Sequence, residues 1–154
     1  MDEKMKGTKA DLDLTSTIHL GSREVVEQKK SNRLHESLAK LTEEESNVVA
    51  NLTTGGAMLI VHRGTSKGAR YLITRDAVET RIGRAPESEI FLDDVTVSRK
   101  HAMIYERESV FSLRDEGSLN GTYVNGEPKI DVILHSGDEV QIGKFHMIFF
   151  GGNT

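Results

Sequence analysis

Three polar stretches hold the residues best able to do chemistry: Arg81-Ile82-Gly83-Arg84, Asp93-Asp94-Val95-Thr96-Val97-Ser98-Arg99-Lys100-His101 and Asp115-Glu116-Gly117-Ser118-Leu119-Asn120-Gly121-Thr122. Together they offer a guanidinium, a hydroxyl, further cations, an amide, and glycines that free backbone N–H groups. That inventory suits a dianionic, oxygen-rich ligand such as a phosphoryl group. Each piece also has an ordinary reading. Asn120-Gly121 is a common hairpin turn, and Arg84 alone is a surface charge. Ser98 with His101 suggests a nucleophile and a base, but one short loop provides no third residue to orient the imidazole; His101 reads better as a structural hydrogen-bonder between loops. Asp93-Asp94 lacks the spaced carboxylates or histidines of a metal site, and the six histidines (19, 35, 62, 101, 135, 146) show no ligand spacing. The sequence therefore predicts no metal and no cofactor.

These stretches need a scaffold, and short strands supply it. Met58–His62, Tyr71–Thr74, Thr80–Gly83, Glu89–Leu92, Ala102–Glu106, Val110–Asp115, Thr122–Val124, Glu139–Ile142 and Phe145–Phe149 are apolar pieces separated by turn residues. The separators are Arg63-Gly64, Lys67-Gly68, Asn120-Gly121, Asn125-Gly126 and Ser136-Gly137-Asp138. Nine or more strands at this spacing, with no helical pattern, predict an all-β sandwich whose function sits in loops at one end.

The first third is a different polymer. All eight aromatics and both prolines follow Gly56. Residues 1–56 cannot bury enough area to offset their ordering entropy, so they are expected to form a largely disordered tail, ahead of a folded domain at 57–154. Within the tail, Leu34, Leu38 and Leu41 fall at i, i+4 and i+7 in a run (24–45) free of proline and glycine, which predicts a short helix. The chain has 154 residues, 20 basic against 24 acidic, and a formal charge of −4. With a pI near 5.9, that mixed charge argues against a broad nucleic-acid surface. No apolar run approaches the ~20 residues of a membrane helix, no basic-then-apolar leader opens the chain, and there is no cysteine for a disulfide or thiolate site. The expectation is a cytoplasmic monomer.

In order, Gly83-Arg84, Ser98-x-x-His101, Asn120-Gly121 and Asn125-Gly126 resemble the forkhead-associated (FHA) domain family, across about Ala57 to Phe150. The resemblance implies an eleven-stranded β-sandwich that is no enzyme and that reads phosphothreonine in partner proteins. It implies that Arg84 pairs with the phosphate, that Ser98 donates its hydroxyl to it, and that Arg99 adds a second cation. Ser118 and Leu119 would close the phosphate site, mainly through backbone, and Asn120 would hold the peptide main chain. Gly83, His101, Gly121 and Asn125 would be architectural.

Residues 86–101, 117–125 and 137–145 are similar to one actinobacterial branch, which contains the oxoglutarate dehydrogenase inhibitor and the glycogen accumulation regulator. That likeness implies an inhibitor of metabolic enzymes, notably the E1 component of 2-oxoglutarate dehydrogenase and other enzymes of glutamate metabolism. A Ser/Thr protein kinase would phosphorylate the tail, which then occupies its own FHA site and switches the protein off. The stretch Asp11-Leu12-Asp13-Leu14-Thr15-Ser16-Thr17-Ile18-His19-Leu20 places the candidates at Thr15 and Thr17, with Thr17 slightly favoured. The alternative is an adaptor that recruits phosphothreonine partners to a kinase without autoinhibition.

Overall fold

The computed structural model describes residues 12–53, 55–64 and 66–151, with side chains from residue 25 onward. Eleven strands lie among the described residues. They are β1 (Ala57–Arg63), β2 (Arg70–Ile73), β3 (Glu79–Gly83), β4 (Ile90–Phe91), β5 (Ala102–Arg107), β6 (Val110–Asp115), β7 (Thr122–Val124), β8 (Glu127–Pro128), β9 (Asp131–Ile133), β10 (Glu139–Ile142) and β11 (Phe145–Gly151). They form a six-stranded sheet, β2-β1-β11-β10-β7-β8, and a five-stranded sheet, β4-β3-β5-β6-β9. All nine expected strands are present. The two additions, β8 and β9, are two and three residues long, too short for an alternation to register. Proline is tolerated in β8 because that strand lies at a sheet edge.

The alternation of side chains builds the core. Ala57, Leu59 and Val61 of β1, Phe145, Met147 and Phe149 of β11, and Ile82, Ile104, Phe111 and Leu113 of the other sheet form one buried cluster. Phe111 and Phe149 meet edge to face across it, with centroids 5.5 Å apart. Asn125-Gly126 makes the two-residue turn between β7 and β8, since Val124 pairs with Glu127 and both turn residues have positive φ (53° and 84°).

Two helices precede the sheets, α1 (Leu12–Ala39) and α2 (Glu43–Ala50). The helix expected within 24–45 is present and extends further toward the N-terminus. Leu34 and Leu38 lie in α1, while Leu41 falls in the turn that follows. Between Val25 and Glu36 every side chain is exposed or half-buried, in keeping with the low core-forming capacity of this third. Such a helix rests on local backbone bonding.

By contact, the chain divides into residues 1–35 and a larger unit from Glu36 onward, so the body holding the sandwich begins well before residue 57. The cause lies on the outer face of β1 and β11. Met58, Ile60, Ile148 and Phe150 alternate with the core residues, point away from the sandwich interior, and are nevertheless buried. Leu41, Val48, Val49 and Leu52 are half-buried, and Val48 and Leu52 line a groove with Met58 and Leu72. The Ser37 hydroxyl donates to the Gly137 carbonyl at 2.8 Å. Thr42 opens α2 with a capping box shared with Glu45.

Candidate functional site

The polar loops meet at one end of the sandwich because of where the strands end. Arg84 follows β3, residues 92–101 link β4 to β5, and residues 116–121 cross from β6 in one sheet to β7 in the other. Asn120-Gly121 is thus part of an inter-sheet loop, which overturns the hairpin-turn reading of that pair.

Gly83 lets two of these loops touch. A Cβ built there would lie 2.0 Å from the Arg99 carbonyl oxygen and 3.1 Å from that of Ser98, so no side chain fits. This close approach allows the Arg84 N–H to donate to the Ser98 carbonyl (3.0 Å) and the Ala85 N–H to that of Arg99 (3.2 Å). The Arg84 Nε–H donates to the Val97 carbonyl at 3.0 Å. Among the described residues its two terminal nitrogens find no protein partner, leaving a planar fork oriented by its third nitrogen. Arg99 and Lys100 are exposed beside it.

His101 joins the second loop to the third. It is fully buried; its Nδ1 accepts from the Ser98 N–H at 3.0 Å, so its Nε2 carries the proton donated to the Gly121 carbonyl at 2.9 Å. Both ring nitrogens are therefore committed to backbone. The Ser98 hydroxyl accepts instead from the Leu119 N–H at 3.0 Å and keeps its own proton to donate. The His101 ring therefore does not act on the Ser98 hydroxyl, which removes the nucleophile-and-base reading of this pair. The Asn120 Nδ2 donates to the Thr96 carbonyl at 3.0 Å, leaving its Oδ1 available.

Two carboxylates shape these loops: Asp115, which the sequence reading left without a role, and Asp94, weighed there only as half of a metal site. Asp115 accepts from the hydroxyls of Ser118 (2.5 Å) and Thr122 (2.7 Å) and from the N–H groups of Gly117 and Ser118 (3.0 Å each). Burial pushes its pKa up, but these four donors outweigh it and hold the carboxyl below its ordinary value. Ser118 in turn accepts from the Gly121 N–H at 2.9 Å, so its hydroxyl is spent inside the loop. Asp94 accepts from the Thr96 hydroxyl and, at 2.8 Å, from the Thr96 N–H; those bonds lower its pKa. Thr96 then accepts from the Lys144 N–H at 3.0 Å, tying in the β10–β11 turn. The signal was present in both cases, as Asp followed closely by Ser or Thr marks a side-chain-capped turn.

Arg81, in the first polar stretch, is not available to a ligand. It grips Glu89 through two parallel bonds of 3.0 and 2.8 Å, and this pairing pulls the Glu89 carboxyl down to about 2. Asn125 lies at the far end of β7, bonded to Asp138 and to the Glu139 N–H. Thr15 and Thr17 fall within α1, and their side chains lie outside those described. The described residues hold no metal-binding cluster and no helix long and apolar enough to cross a membrane.

The sequence profile of the FHA domain matches residues 80–143, which span all the polar loops. Over 102 residues the chain is 55% identical to the oxoglutarate dehydrogenase inhibitor of Corynebacterium efficiens, covering 66% of this chain and 70% of that one. It is 49% identical over 121 residues to the glycogen accumulation regulator GarA of Mycolicibacterium smegmatis, covering 79% of this chain and 75% of that one. Among solved structures, an FHA domain described by its phosphothreonine-dependent interactions superposes with a TM-score of 0.56 at 30% identity, over 62% of this chain and 95% of that one. With this loop constellation on an eleven-stranded, two-sheet scaffold, and with such identity to these regulators, the chain belongs to the FHA domain family.

Proposed function

We propose that this protein is a cytoplasmic, non-enzymatic phosphothreonine-binding regulator that inhibits metabolic enzymes such as 2-oxoglutarate dehydrogenase. In this reading a Ser/Thr kinase controls it, and its phosphorylated tail switches it off by filling its own FHA site. The observation that carries the binding half is the Arg84 fork, oriented by Val97 yet unpaired, at loops that also present the Ser98 hydroxyl proton and the Arg99 cation. A phosphate brings about −1.5 to −2 charges and three acceptor oxygens, which match that set. Asn120 Oδ1 would take a peptide N–H and set its register, while Leu119 and the loop backbone close over the phosphate. The name of the corynebacterial relative supports the choice of enzyme, and that of GarA supports a regulatory role.

The switching half is geometrically permissible. Thr17 stands 19 residues before Glu36 (36 − 17), where the larger unit begins. As coil, that tether spans roughly 24 Å, against a radius of gyration of about 13–14 Å for a domain of this size. Tethering would then supply a local concentration around millimolar. Reading Thr17 through such a coil tether requires α1 to unwind between Thr17 and Glu36, and a helix that rests on local backbone bonding is marginal on its own.

The test uses the full chain, unmodified or phosphorylated by a Ser/Thr kinase, with 2-oxoglutarate dehydrogenase E1. The unmodified protein is expected to bind and inhibit. Phosphorylation at Thr17 is expected to release E1, and the Thr15→Ala/Thr17→Ala variant to be indifferent to the kinase. If phosphorylation strengthens partner binding, or if the double variant still responds, the adaptor reading replaces the switch.

A further inference from the structure

A second charged cleft lies on the outer face of the six-stranded sheet. It is lined by Lys40, just past α1, by His62 and Arg63 at the end of β1, by Gly64 and Lys67 of the β1–β2 hairpin, and by Glu139 of β10. The one carboxylate is already engaged: Glu139 meets His62 Nε2 at 2.6 Å and stands 3.6 Å from Arg63. Arg63 donates to His146 Nδ1 at 2.9 Å. The ammonium groups of Lys40 and Lys67 have neither a hydrogen bond nor an ion pair among the described residues. Three cations against one carboxylate leave the cleft net positive, in a chain whose formal charge is −4.

This cleft shares a wall with the phosphate-binding loops. Gly64 packs on the β10–β11 turn closely enough that a Cβ would lie 3.3 Å from the Lys144 carbonyl oxygen. The Lys144 N–H donates to the Thr96 hydroxyl, and the Thr96 carbonyl holds Asn120. A peptide chain leaving the phosphate site across Thr96 therefore heads toward Gly64, at the rim of the cleft that Arg63, Lys67 and Lys40 line.

We infer that Lys40, Arg63 and Lys67 form a second anionic subsite that takes a carboxylate side chain of the phosphothreonine peptide. The inference rests on the phosphothreonine reading above and adds the chemistry of a flanking residue to it. The chain's own sequence carries a fitting ligand. Asp11 stands four residues before Thr15 and Asp13 four before Thr17, and four extended residues reach about 13 Å. After Thr17 the first charged residue is basic, Arg23, so the charge complementarity is one-sided.

The probe is a peptide of residues 10–24 phosphorylated at Thr17, made with Asp11 and Asp13 or with both replaced by Asn, titrated into the full chain by calorimetry and NMR. The Asp peptide is expected to bind about three- to tenfold more tightly at low salt, with the preference shrinking as salt rises. Its amide shifts should include Gly64 and Lys67 as well as Ser98. A Lys40→Gln/Lys67→Gln variant, altered at two exposed positions, should lose the preference while binding the Asn peptide as before. Equal affinity for the two phosphopeptides, or a preference that survives in the variant, overturns the subsite and leaves the phosphothreonine reading standing. If neither phosphopeptide binds, the tail reading and this inference fall together.

Discussion

Arg84 spends one nitrogen on the Val97 carbonyl and leaves two for a ligand, so its contribution depends on fork geometry as well as charge. Arg84→Ala is expected to cost about 2–5 kcal/mol of phosphopeptide binding, since a desolvated phosphate would lose its charged partner. Arg84→Lys should recover only part of this, because an ammonium cannot reproduce the planar pair of donors. Calorimetry with a phosphothreonine peptide, beside circular dichroism to show an intact fold, checks both; wild-type affinity in the lysine variant would refute the role of the fork. The neighbouring Arg81 makes the opposite case. Its bond to Glu89 depresses a carboxylate, so whatever stability the pair provides is present above the unfolded pKa near 4.3 and is lost as pH falls through about 2. Both side chains are about half exposed, so that contribution is small. The checkable quantity is the Glu89 midpoint itself, followed by carboxyl carbon shifts. It should lie near 2 and move up in Arg81→Gln.

At the scale of elements, the site is three loops held by backbone-directed bonds. His101→Ala would orphan the Ser98 N–H and the Gly121 carbonyl beside a position that is fully buried, at about 1–3 kcal/mol for each unsatisfied group. Gly83→Ala would push a methyl into the Arg99 carbonyl, an overpacking that typically costs about 1–3 kcal/mol and would part the first loop from the second. Urea unfolding measures the loss in each case, and both variants should weaken phosphopeptide binding without touching the phosphate. A His101→Ala protein of unchanged stability would mean that the imidazole is not the strut described here.

For the whole molecule, the boundary of the folded body decides how the tail works. Residues 36–53 belong with the sandwich, and Val48 and Leu52 line a groove with Met58 and Leu72 on its outer face. A protein starting at residue 57 should therefore be less stable than one starting at residue 36, and should expose an apolar sheet face that binds hydrophobic dyes or self-associates. Comparing the two by thermal unfolding and sedimentation is decisive, because equal stability would return residues 36–53 to the tail. In the proposed switch the same boundary would set the tether: moving its origin from residue 57 to Glu36 would shorten the loop that carries Thr17 and raise its effective concentration at the site.

Local rules made much of this legible. Apolar alternation between turn residues located nine strands, Asn125-Gly126 specified its own hairpin, and the ordered loops carried the family and brought Arg84, Ser98 and Asn120 forward as candidates. Composition also marked residues 1–56 as poor in core. What the one-dimensional pattern lacked is whatever depends on partners far apart in sequence. Asn120-Gly121 has the chemistry of a hairpin turn, and only the crossing from β6 to β7 in the other sheet makes it part of an inter-sheet loop. Ser98 and His101 have the types of a catalytic pair, and only the contacts of the imidazole with the Ser98 N–H and the Gly121 carbonyl turn it away from the Ser98 hydroxyl. Met58 and Phe150 read as strand residues of either face. Their burial on the face turned away from the sandwich interior, and the meeting of Lys40 with Arg63 and Lys67, arise from tertiary packing that no local spacing encodes. Sequence fixes what a residue can do; the other end of each long-range contact decides what it does.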